Sequence, residues 1–448
     1  MYLLQFPGAV HRLPGRRSSV NVRRWDLWAL VASSAAALVV GLASASNTSQ
    51  HRWGLAAAVA YACAAVVALC SRLPWSRAAA LTAVVGALGI PLVGLTTVGL
   101  EQMEVGVVER AARRFLETGT PYFAHPVAVR DFNPYLPGMA FFGLPHALFG
   151  AEVFSSARLW TLAGFLAVLA AAVAVLVQGE RRSRRGVVTG AVWIGASPVV
   201  ALPLAIGGVD PVVVAFVLLA LACAHRGRAV GAGLALGAAA VLKWTAWPAV
   251  PVVVVLMAVT RGSRAARTTA AVSAAVAAFV VVPPLIADPR AFFDNAVLYP
   301  FGLSDTASTA ASPLLGHLLA SSLPYGKAIA VVLIGAGALA VAVSLVIRPP
   351  ATTAAAAHRL ALGLTIAILL SPATRIGYAV YPLTLLAWAQ CTTLASPQPA
   401  PRPKRNKSVR TNDPVLQPSA ERLRTLAHEP GRSFRDVGRC SSALDRLE

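Results

Sequence analysis

Apolar segments of roughly 15 to 22 residues recur from Leu27 to Leu394, separated by short turns, and a helix of about 20 residues spans a bilayer's hydrocarbon core. In that solvent every backbone polar group must be satisfied within the chain, which leaves helices or closed barrels. The segments of about ten alternating residues that build a membrane barrel are absent. Hydrophobic residues make up 57% of the 448, and charged residues 13%, against about a quarter charged in a soluble domain. The expected fold is an all-α, polytopic integral membrane protein with about twelve transmembrane helices, since about that number of apolar segments lies between the basic turns.

A net charge of +21 raises the possibility of a nucleic-acid partner. Its distribution excludes one, because the arginines sit in alternate turns and in the two tails, as the positive-inside rule requires. Residues 1–26 read as a basic cytoplasmic tail, 27–394 as the membrane domain, and 395–448 as a Pro-rich, polar, disordered cytoplasmic tail. The first apolar run lies behind a basic segment and reads as a retained helix, not a cleaved signal. With both termini inside the cell membrane, residues 100–156 and 288–326 become extracytoplasmic loops. This parity holds only if the short segment 136–150, with Pro137, Pro145 and His146, is re-entrant or interfacial. Were it to cross, the basic run Arg181–Arg185 would fall outside. The five cysteines show neither metal spacing nor a disulfide framework, and no metal or cofactor is expected.

Gly99–Leu136 is the one long polar stretch between apolar segments, and it gathers Glu101, Glu104, Glu109, Glu117 and Asp131 in a chain with 18 acids. Residues 104–117 fit an amphipathic surface helix, with Val105, Val108, Ala112 and Phe115 on one face and Glu109 paired to Arg113. Glu101 and Glu104 lie where the third helix emerges. A carboxylate at a membrane boundary is costly unless used or paired, which makes both catalytic candidates, with Asp131 as a third. Asp131 also fits a simple cap of the following turn. Aromatic rings and polar groups in Tyr122, Asn133 and Tyr135 suit the faces and hydroxyls of a sugar, and equally suit a rigid loop. Asp210, Lys243, Arg375 and Tyr378 fall at helix ends on the same side as the acidic loop. Lone charges there commonly snorkel, but Lys243 and Arg375 together suit a phosphate. Asp288, Arg290, Asp294, Asp305 and His317 populate the second long loop.

A carboxylate shortly after a helix, the turn Gly119-Thr120-Pro121-Tyr122 and the Pro/Tyr-rich Asp131–Gly138 segment resemble the GT-C superfamily over residues 78–394. These are membrane glycosyltransferases that use polyprenyl-phosphate sugars, and the actinobacterial α-mannosyltransferase-like group is the branch this chain looks most like. The family's acid follows its first helix, whereas Glu104 follows the third, so two additional N-terminal helices precede the shared part. The resemblance implies inverting transfer of a hexose, mannose in that branch, from a polyprenyl-phosphate donor to an extracytoplasmic glycolipid or glycan acceptor. Glu104 would act as base, and Lys243 with Arg375 as a phosphate clamp, beside membrane lipids and without nucleic acid. Two other classes compete. A transporter or flippase of lipid-linked sugars would need charged or broken helices at mid-membrane and internal repeats, and none is apparent. A non-catalytic membrane subunit would need only the scaffold.

Overall fold

The computed structural model describes residues 24–150, 152–179, 181–306 and 309–396. The two tails thus lie almost wholly outside the described residues. Among the described residues the chain is helical throughout, with one isolated bridge between Ala311 and Thr374. Eight helices are long and apolar enough to cross a membrane, and the pair Ser183–Ala196 and Pro198–Ile206, bent by 58°, would make a ninth. The other three expected crossings are helices too, Asp210–His225, Ala229–Ala240 and Val380–Ala395, of 16, 12 and 16 residues. At about 1.5 Å per residue they fall short of a hydrocarbon layer about 30 Å thick, so among the described residues nine of the twelve expected crossings meet the length requirement.

The short Asp210–His225 helix is central. Its side chains from Asp210 to Ala224 are nearly all buried by other helices, so it needs no lipid-matched length. The N-terminal pair Trp25–Ala43 and Ser49–Cys70 packs at the closest approach the backbone allows. A Cβ on Gly54 would stand 2.3 Å from the Gly41 backbone nitrogen, the small-residue contact that lets membrane helices touch.

The Ser49–Cys70 helix also meets two proline breaks. Pro91 has no N–H to give to Ala87, and the ladder there widens into a π-turn over Val85–Gly89. The Trp53 indole donates to the Ala87 carbonyl instead, at 2.7 Å. Pro198 opens the second half of the bent pair, and the Tyr61 hydroxyl donates to the Ala196 carbonyl beside it, at 2.7 Å.

Helix ends gather at two faces. On one, Arg24 donates to the Ala68 carbonyl, Arg77 to that of Arg185, Arg226 to that of Leu176 and Arg261 to that of His225. On the other, Arg158 donates to the Leu100 carbonyl at 2.8 Å. The helix Arg77–Thr97 therefore starts beside the start of Arg181–Ala196 and ends beside the start of Ala157–Leu176. The chain between leaves and returns on one face. Residues 137–149 fold as a 3-10 stretch and a six-residue helix, too short to cross, as the charge parity requires. The run Arg181–Arg185 opens a helix instead of filling a turn.

The surface helix forms over Met103–Thr118 with Val105, Val107, Val108, Ala111 and Ala112 buried. The expected pairing of Glu109 with Arg113 gives way to another. Glu109 accepts from the backbone N–H of Ala157 at 3.0 Å and lies 3.6 Å from His146 Nδ1, because a carboxylate is favourable at a helix N-terminus. In a cysteine-less background, single cysteines at Val127 and Arg264 should label from opposite sides of a sealed vesicle. Labelling of both from one side would overturn the two-face arrangement.

Candidate active site

Backbone clamps bring four distant segments together on the acidic-loop face. The N–H of Gln102 donates to the Ile206 carbonyl at 2.8 Å, fixing the approach to Glu104. Gly207, at φ +98, leaves room for Val105, whose Cγ2 would lie 2.2 Å from any added Cβ. The N–H groups of Leu136 and Gly138 donate to the carbonyls of Leu242 and Val241, seating Tyr135 beside Lys243. The N–H of Ser312 donates to the Thr374 carbonyl at 2.9 Å, and that of Thr374 to the Ala310 carbonyl at 2.8 Å. This short bridge ties the second long loop to the turn that presents Arg375.

Four charges meet inside this frame. Arg375 Nη1 lies 2.6 Å from Glu104 Oε1, and its Nη2 donates to Thr309 at 2.7 Å. Lys243 Nζ lies 2.6 Å from Asp210 Oδ1, to which the Tyr381 hydroxyl also donates at 2.6 Å. Thr245 donates to that hydroxyl in turn. The Lys243 ammonium also lies 4.7 Å from the centre of the Tyr378 ring and 5.5 Å from that of Tyr135, within cation–π range. Glu104, Asp210 and Lys243 are each less than a tenth exposed.

Burial pushes the Glu104 carboxyl above the usual carboxylate range, while Lys243 and Arg375 pull it down. Burial alone would lower Lys243, but Asp210 and Glu104 outweigh it and hold the ammonium above its ordinary value. Arg375 behaves alike, with Glu104 the main opposing charge.

A cleft of ≈ 960 Å³ opens here, reached by Glu101, Glu104, Asp210, Arg375 and Tyr378. A smaller cavity of ≈ 60 Å³ adjoins it, lined by Glu104, Tyr135, Lys243, Arg375 and Tyr378. Glu104 and Arg375 thus stand between the two. Glu101 points into the larger cleft, paired to Arg158 at 3.3 Å. Burial raises its carboxyl and Glu109 adds to that, with Arg158 opposing.

The remaining sequence candidates serve the loop. Asp131 accepts from the N–H of Ala128 at 2.9 Å, so it caps the turn before it, not the one after, away from both cavities. Tyr122 is fully buried, donates to the Tyr135 carbonyl and packs edge-on against Phe292. Asn133 joins the loop to the second one. Its N–H donates to Asn295 Oδ1 at 2.9 Å and its side chain donates to the Pro121 carbonyl. Neither Tyr122 nor Asn133 reaches the cleft. In the second loop Asp288 caps a short helix and His317 lies 3.1 Å from the Pro372 carbonyl.

Sequence reading missed Tyr381 and Arg158. Tyr381 lies three residues beyond Tyr378, the helical spacing that puts both on one side. Arg158 is the second residue of an apolar helix, where a charge needs a partner.

A multi-helix bundle with a buried, paired set of acids and cations in a surface cleft defines a membrane enzyme. The chain belongs to glycosyltransferase family 87, a family of the GT-C type, whose model matches residues 133–372. Tyr135, Asp210 and Lys243 lie inside that stretch, Glu104 and Arg375 outside it. No curated protein and no solved structure matches the chain.

The Asp210–Lys243 pair is testable through stability. Asp210→Asn leaves a buried ammonium uncompensated, and breaking such a pair costs about 3–5 kcal/mol. Thermal unfolding in detergent should fall well below that of the native chain. Asp210→Asn with Lys243→Met should recover much of the loss.

Proposed function

We propose that this glycosyltransferase moves a hexose, mannose being the first to test, from a polyprenyl-phosphate donor to a hydroxyl of a glycolipid or glycan. The basic face would be cytoplasmic by the positive-inside rule, and the cleft extracytoplasmic. The Glu104–Arg375 pair, standing between the large cleft and the pocket that also holds Lys243, carries this reading. It sets a proton acceptor directly beside the cations that a phosphate leaving group needs.

In this mechanism the donor's phosphate docks against Lys243 and Arg375, both well suited to phosphate oxygens. Arg375 turns part of its hydrogen bonding from Glu104 to the incoming phosphate, which frees the carboxylate to take a proton. The acceptor oxygen attacks the anomeric carbon, and Glu104 removes the hydroxyl proton as the new C–O bond forms. The bond from the anomeric carbon to the phosphate oxygen breaks, and the polyprenyl phosphate leaves with the bonding electrons. Lys243 and Arg375 stabilise the charge that develops there. Attack opposite the leaving group inverts the anomeric centre. Tyr378 and Tyr135 flank the ammonium, limiting its freedom and excluding water.

Glu104→Gln keeps the size but cannot accept the proton. Transfer from a polyprenyl-phosphate mannose should fall by about a hundred to ten thousand fold, the span of general base catalysis. Retention of the wild-type rate in a monodisperse Glu104→Gln preparation would remove Glu104 from the role.

The pH profile gives a separate check. A protonated Glu104 is inactive as a base, and its carboxyl is raised, so the acid limb of transfer should lie above the ordinary carboxylate range. Arg375 opposes that rise. Arg375→Gln should therefore move the acid limb further up in pH, besides lowering the rate. A shift to lower pH would contradict the assignment.

A further inference from the structure

Two chemically different sets of residues line the large cleft. One is Glu104, Arg375 and Tyr378, to which the proposed chemistry assigns the donor phosphate and the reacting hydroxyl. The other is Glu101 with the turn between the first two helices, where Asn47, Thr48, Ser49 and Gln50 reach the same cavity. Those two helices lie wholly outside the stretch that matches the family model. This wall of the cleft is therefore supplied by a part of the chain that the family match does not cover.

The groups of that second set are built, not incidental. The Ser49 hydroxyl donates to Gln50 Oε1 at 3.2 Å, holding the carboxamide. Thr48 caps the following helix by accepting from the His51 N–H, and His51 Nδ1 lies 2.7 Å from the Gly41 carbonyl, tying the turn down. Arg158 is 3% exposed and stands behind Glu101. It donates to Glu101 Oε2, to the Leu100 carbonyl and to Thr96 Oγ1. Its Nε is buried with no hydrogen-bond partner, so the guanidinium holds its neighbours through the two terminal nitrogens alone. One oxygen of Glu101 is held from behind while the side chain remains 39% exposed to the cleft.

We propose that this second set is the acceptor subsite, and that it recognises adjacent hydroxyls of a pyranose. A carboxylate with a fixed orientation accepts from two neighbouring hydroxyls at once, and such charge-assisted bonds are the strong ones. The carboxamides supply both donors and acceptors, matching hydroxyls that do the same. An alcohol without a sugar would make none of these bonds and leave the groups to water, so it gains less on binding. Arg158 is a positioning residue that aims Glu101. The inference rests on the glycosyltransferase reading above and adds to it the residues that hold the acceptor sugar.

The test uses the full chain in nanodiscs, with farnesyl-phosphate mannose as donor and n-octyl α-D-mannopyranoside as acceptor. Asn47→Ala with Gln50→Ala alters only the partly exposed turn, and Glu101→Gln alters the carboxylate. Each should raise the acceptor KM roughly tenfold, the size of losing hydrogen bonds to charged or buried groups, with the donor KM within about twofold. Arg158→Lys should raise the acceptor KM in the same direction, which a purely structural loss would not confine to one substrate. An unchanged acceptor KM in both variants, or a parallel rise in donor KM, would overturn the subsite.

A second arm measures binding of octyl mannoside without donor, with n-octanol as the sugar-free control. It reads the subsite even where the wild type transfers nothing, an outcome that sinks the functional reading alone. Sugar-dependent binding that weakens in Asn47→Ala with Gln50→Ala supports the subsite. Binding equal to that of n-octanol, or indifferent to the substitutions, overturns it.

Discussion

Two ion pairs, one buried and one part-buried, hold the cleft end of this bundle together. Glu104 and Arg375 are 271 residues apart in sequence, Asp210 and Lys243 33 apart. Glu104, Asp210 and Lys243 could not sit where they do alone, because desolvating a lone charge costs more than a fold of this size can spare. Each segment that delivers one of them must arrive in register with its partner. The backbone clamps at Gln102, Leu136, Gly138 and Thr374 accomplish that. The loops that deliver these residues are therefore as constrained as the helices.

The pairing also prepares the site for a substrate. Before a donor arrives, Arg375 neutralises Glu104 and Asp210 neutralises Lys243, so the cleft carries almost no unbalanced charge. In the proposed mechanism an incoming phosphate would compete for the two cations. Its gain is the difference between one set of charged hydrogen bonds and another, which favours ligands with the same geometry as a carboxylate. The tyrosine rings about Lys243 keep that exchange local.

Much of this was legible in the sequence. The helical class, the acidic-face helix and the non-crossing status of 136–150 followed from segment length, apolar spacing and the side preference of arginine, which are local or additive properties. Glu104, Asp210, Lys243, Arg375 and Tyr378 stood out because an ionisable or polar group at a helix end needs a reason. Sequence could not give the pairings, since these depend on which helix ends meet. Lys243 and Arg375 read as a clamp, but each came with its own carboxylate. Tyr122 and Asn133 looked like sugar-binding groups and Asp131 like a catalytic acid because loop building draws on the same residue types. Only the partners of each side chain separate the two. The count of twelve crossings rested on apolar segments alone, and three of those segments form helices shorter than lipid requires; Asp210–His225, surrounded by protein, escapes that length.

The aromatic donors of the Ser49–Cys70 helix bear on how the chain assembles. Two later segments carry carbonyls without a helical partner, at Ala87, which would have bonded the N–H that Pro91 lacks, and at Ala196, at the break before Pro198, and Trp53 and Tyr61 serve them. During synthesis the donors emerge first, the nearer acceptor about a helix later and the farther one after several more. Each broken helix thus enters a membrane where its missing partner is already waiting. The N-terminal pair would then work as a template, and moving it to the end of the chain should cost yield during biogenesis even if the finished fold were unchanged.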